Sequence, residues 1–65
     1  MENSDLVRET APYVQNLGYI RELIEESENI EELKIKLTEL INKEQDMVKK
    51  TDLKILMEKI EELNL

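Results

Sequence analysis

Residues 29–51, NIEELKIKLTELINKEQDMVKKT, decide the fold. Ile30, Leu33, Leu37, Leu40, Ile41, Met47 and Val48 recur at helical spacing. At about 100° per residue they share one arc of roughly 120°, the signature of an amphipathic helix. Glu44 interrupts that arc. Three readings fit it. The helix ends before Glu44, or the carboxylate reaches water from the edge of the seam, or a buried polar group sets the register of an oligomer. A continuous helix over 30–49 is expected, with Lys49 and Lys50 suiting its negative end.

Working outward toward the N-terminus, Ser27-Glu28-Asn29 is an interruption. Asn29 followed by Glu32 fits a capping box, with Asn in place of the usual Ser or Thr. Before it, Leu6, Tyr13, Leu17, Ile20 and Ile24 share a face, which Val7 and Val14 widen. Asn3, Ser4 and Asp5 are good N-cap residues. A first helix is therefore expected over 4–27. Pro12 removes a donor and clashes inside a helix, so a kink or break is expected near residues 9–12. Gly18 costs up to ~1 kcal/mol in mid-helix relative to Ala.

Toward the C-terminus, Leu53, Leu56, Met57, Ile60 and Leu63 form a clean stripe. Its phase differs by well over 90° from that of the preceding stripe, at about 100° per residue. A turn near 49–52, capped by Thr51 or Asp52, lets both stripes face one core. The expected architecture is all-α: a small three-helix up-down bundle with helices over 4–27, 30–49 and 52–64, in one domain spanning 1–65.

Composition supports this class. The chain has one Gly and one Pro, and its polar residues are mostly Glu and Lys. It has no Cys, so disulfides and thiolate metal sites are excluded, and no His, the commonest metal ligand and general base. Sixty-five residues bury little core, which leaves oligomerisation, a partner or efficient helix packing as the source of stability.

The net charge of −7 is unevenly placed. Residues 1–32 hold nine acids against Arg8 and Arg21, whereas residues 33–65 hold seven acids and seven lysines. Such a chain repels nucleic acid and anionic lipid. No apolar run approaches the ~20 residues of a membrane span, and the N-terminus lacks the pattern of a signal peptide, so a cytoplasmic location is expected.

Catalysis is not expected. The helical Glu groups (Glu22, Glu25, Glu26 and Glu58, Glu61, Glu62) lack the His of a di-metal site. No calcium-loop pattern or Gly-flanked nucleophile is present. No cofactor is expected. A basic recognition helix with base-reading side chains is also missing, although Lys49, Lys50 and Lys54 could meet phosphates.

Three apolar residues miss their own stripes: Tyr19, Ile35 and Ile55. Isolated exposed apolar residues are normal, yet a second apolar surface is equally compatible with so small a core. Ile35, flanked by Lys34 and Lys36, leads. The acidic run includes Glu25, Glu28 and Glu32, which in most chains is a solvated helix end and could steer a basic partner.

The function expected is a small acidic, non-catalytic protein–protein interaction module, either adaptor, inhibitor or regulator. It would bind a protein partner, a basic one or a second copy as a homodimer, through Ile35, Tyr19, Ile55, Glu25, Glu28 and Glu32. Two alternatives stand beside it. One is a nucleic-acid-linked regulator, either a DNA mimic or a weak DNA-binding protein. The other is a structural component of a larger assembly, such as a phage particle.

Overall fold

The computed structural model describes residues 4–63 and is all-α, with no strand among those residues. Four helices replace the expected three. They are α1 Ser4–Thr10, α2 Leu17–Glu26, α3 Ile30–Lys43 and α4 Met47–Glu62, with a 3-10 turn at Ala11–Tyr13. The expected cap at Asn3 and the expected helical end at residue 64 lie outside the described residues.

The first correction concerns 4–27. Pro12 sits inside the first turn of the 3-10 segment, where a missing N–H costs nothing. The chain then becomes extended at Val14, with φ −106° and ψ 153°, and restarts as a helix after Asn16. The α-helix therefore breaks after Thr10, within the expected 9–12, into a 3-10 turn, and helical geometry is lost altogether at 14–16. The break re-phases the apolar face: Leu6, Ile20 and Ile24 are buried, while Tyr13 and Leu17 are exposed. Leu23 joins the core beside them.

The second correction concerns Glu44. It ends α3 instead of riding in its seam. Its backbone is extended, and its N–H donates to the Leu40 carbonyl at 2.8 Å. The Glu44 carboxylate folds over the turn and accepts from the N–H groups of Gln45 (3.1 Å) and Asp46 (3.3 Å). Asp46 then caps α4, accepting from Val48 N–H (2.9 Å) and Lys49 N–H (3.3 Å). Helix two thus stops at Lys43 rather than 49, and the last helix starts at Met47 rather than 52. Met47 and Val48 leave the core as a result and lie exposed in the first turn of α4. Thr51 is an interior residue whose hydroxyl donates to the Met47 carbonyl, not a cap.

The start of α3 agrees with expectation. Asn29 accepts from Glu32 N–H at 2.8 Å. Glu32 returns the bond to the N–H of Glu28 (3.3 Å), one residue earlier than in a capping box.

The core is built from Leu6, Ile20, Leu23, Ile24, Leu33, Leu37, Leu53, Leu56 and Ile60. Burying a Leu or Ile side chain contributes about 1.5–3 kcal/mol. The three-residue connection makes α3 and α4 an antiparallel hairpin. Helices α1, α2 and α3 all pack on α4, which is therefore the hub. Thr10 and Ser27, buried at the ends of α1 and just after α2, donate their hydroxyls to the carbonyls of Leu6 (2.7 Å) and Leu23 (2.9 Å). The radius of gyration, 10.5 Å, is close to the ~11 Å typical of a folded chain of this length.

Candidate protein-interaction surface

Helix α3 turns Leu33 and Leu37 fully inward. At about 100° per residue Ile35 is then carried to the opposite side. Ile35 is 62% exposed, more than any other Leu or Ile of the described chain. With Lys34, Thr38 and Glu39 it lines a shallow, open hollow of about 340 Å³. The hollow is lined almost entirely by apolar atoms, because the stems of Lys34 and Glu39 lie beside the isoleucine.

One edge of this face carries Glu32, Lys36, Glu39 and Lys43 in alternating sign. Lys36 Nζ lies 3.2 Å from a Glu32 oxygen. That bond, followed by the Glu28 N–H, holds the Glu32 carboxyl below the usual glutamate range.

The six expected contact residues do not form one site. Glu28, Glu32 and Ile35 lie together along the first half of α3 and the residues just before it. Glu25 lies on α2, exposed and bonded to Arg21 Nε at 3.1 Å. Tyr19 is elsewhere: its ring is half-buried against the core, 5.6 Å from Lys49 Nζ and near Glu44. Burial, and then the Glu44 charge, push its phenol pKa up. Ile55 is half-buried on α4. Neither Tyr19 nor Ile55 lines the hollow.

The charge is polarised along α3. The corner before it holds Glu22, Glu25, Glu26 and Glu28, and its first turn adds Glu31 and Glu32. The corner after it holds Lys43, Lys49 and Lys50 against Glu44 and Asp46, whose carboxylates accept turn N–H groups, and so lacks the acidic excess of the first corner. Fourteen residues at 1.5 Å each separate these corners by about 21 Å.

Two features escaped the sequence reading. Asp52, read there as a cap, is 2% exposed in the interior of α4. It accepts from Gln15 N–H (3.1 Å), Asn16 N–H (2.8 Å) and Asn16 Nδ2 (3.1 Å). It thereby serves the start of α2, where Asn16 makes no side-chain cap of its own. Two turns further along α4, Lys59 Nζ sits 4.2 Å from the Tyr13 ring centroid and 2.9 Å from Glu62. Lys49, Asp52 and Lys59 thus meet Tyr19, the 15–16 turn and Tyr13 in reverse chain order. Asp52 falls only about 40° from Leu56 on the α4 wheel, which was a signal for burial.

Among the described residues, no group of three or more carboxylates could hold a metal ion, and no helix is long and apolar enough to cross a membrane. No solved structure matches the chain. An uncharacterised protein, MJ1579, from Methanocaldococcus jannaschii is 53% identical over 57 residues, covering 88% of this chain and 81% of the relative. The profile of the MJ1579 family matches residues 1–65, and the chain belongs to that family.

Proposed function

We propose that this chain is a small acidic, non-catalytic protein-interaction module whose contact surface is the outer face of α3. The observation that carries this reading is Ile35, exposed in a shallow apolar hollow on a helix whose opposite face is fully in the core. A branched apolar side chain displayed by a rigid helix is the anchor used in helix-face recognition. Alternating charges along the edge supply the polar rim that excludes wrong partners. Glu28 and Glu32, at the start of this face, together with Glu25 on the preceding helix, would draw basic regions of a partner toward it.

The test uses the parent chain and Ile35→Asp as baits in an extract of the source organism. Loss of retained proteins with Ile35→Asp, at unchanged helicity and melting temperature, is the expected result. An identical retained set for both baits overturns the reading.

A further inference from the structure

We infer that the partner at this face is a second copy of the same chain, paired two-fold and antiparallel through α3. This inference rests on the reading of α3 as a contact surface. Its basis is the charge order along one edge of that helix. Glu32, Lys36, Glu39 and Lys43 are spaced four, three and four apart, so all four fall on one side of Ile35. The row reads acid, base, acid, base. Reversed, it reads base, acid, base, acid, which is its own complement.

An isologous antiparallel contact performs that reversal, because each copy then meets the same edge of the other running backwards. With the two-fold axis at the level of Leu37 and Thr38 along α3, Glu32 faces Lys43 of the second copy, and Lys36 faces Glu39 of the second copy. Each pair occurs twice. In the same register Ile35 of each copy enters the other's hollow beside Thr38 and Glu39.

The larger charge pattern has the same sense. The acidic corner before α3 of one copy lies toward the corner after α3 of the other, which lacks that acidic excess. A parallel pairing would instead stack the two acidic corners.

The within-helix bond from Lys36 to Glu32 is compatible with this arrangement. It holds the lysine on the edge where Glu39 of the second copy arrives. One pair of 14-residue helices buries well under the ~800 Å² per partner of a standard stable interface. The pairing is therefore a monomer–dimer equilibrium across micromolar to millimolar concentration, and it weakens with salt.

The experiment is sedimentation equilibrium of the full chain, with two charge-reversal variants alone and mixed. Lys36→Glu sets Glu against Glu39 of its own second copy, and Glu39→Lys sets Lys against Lys36. Each alone should lose about tenfold or more in self-association. A one-to-one mixture should recover it as a heterodimer, since every reversed charge then meets its opposite. Ile35→Asp, with an unchanged melting temperature, should be monomeric throughout.

A parent chain that stays monomeric to millimolar concentration overturns the inference, and so does a mixture no more associated than its components. Loss of bait-retained proteins with Ile35→Asp from a strictly monomeric parent would sink self-pairing and leave the contact surface standing. Self-association indifferent to Ile35→Asp would sink pairing through α3, and an identical retained set for both baits would sink the contact surface as well.

Discussion

Asp52→Asn is a change of one atom at the point where α4 holds the start of α2. The carboxylate is 2% exposed and accepts three hydrogen bonds, two of them from backbone N–H groups. A hydrogen bond to a charged group contributes about 1.5–3 kcal/mol net, and stranding a buried donor costs a similar amount. The amide keeps one accepting oxygen. Its NH2 group turns toward donors that cannot receive it.

At least one of the three bonds is lost and the charge is removed, so the substitution should cost about 2–3 kcal/mol. A chain of 65 residues has about 3–10 kcal/mol of stability in total. At about 4–8 °C per kcal/mol, the melting temperature should fall by about 10–20 °C. Far-UV circular dichroism against temperature measures this, and amide exchange at Gln15 and Asn16 locates it. Asp46→Asn is the control. Asp46 is an exposed N-cap, where Asn serves as well as Asp, so little change is expected. If Asp52→Asn shifts stability by less than about 0.5 kcal/mol, as a surface substitution would, the tertiary cap is refuted.

Other expectations follow from single residues. Gly18 lies in the first turn of α2 with open space where a Cβ would sit, so Gly18→Ala should raise stability by about 0.4–1 kcal/mol, read from urea unfolding. A drop would show that the glycine has a packing role. The Glu32 carboxyl is held low by Lys36 and then by the Glu28 N–H. A depressed carboxyl contributes stability that is complete above its unfolded pKa and lost as pH falls through the folded value. The acid limb of melting temperature against pH should therefore be shallower in Glu32→Gln, and an unchanged limb would contradict the bond. Leu56→Ala, at the centre of the hub helix, should cost about 2–5 kcal/mol and leave little folded chain at moderate temperature.

The sequence made some of this structure readable and concealed the rest for physical reasons. Leu33, Leu37, Leu53, Leu56 and Ile60 announced their burial through periodicity, because a helix that packs on others must gather its apolar residues on one side. Asn29 announced the start of α3, because its cap is local. Glu44 posed the right question. The long-helix reading gave the wrong answer because Met47 and Val48 happen to fall in phase with the α3 stripe, although they lie beyond the turn. Capping at 44–46 uses a Glu at the helix end and an Asp two residues on, a pair that also suits a solvated helix surface.

The end of α1 at Thr10 is legible because Pro12 is a visible local breaker, but the extended residues at 14–16 are not. The chain turns there because an acceptor from α4, thirty-six residues away, takes the Asn16 N–H. No local signal carries such a contact. Ile35 was legible as exposed because it opposes Leu33 and Leu37 whatever the length of the helix. Tyr19 and Ile55 were grouped with it only as stripe-missing residues. Periodicity measures direction within one helix and says nothing about which helices lie next to each other.

The central claim is that α3 has an inner face that makes the core and an outer face that is free to bind. Ile35 and Leu37, two residues apart, stand on those two faces, at 62% and 0% exposure. Melting temperatures of Ile35→Asp and Leu37→Asp, measured side by side in dilute solution, test it most directly. Ile35→Asp should melt within a few degrees of the parent, whereas Leu37→Asp should be unfolded. Equal destabilisation by the two substitutions would place Ile35 in the core and contradict the account.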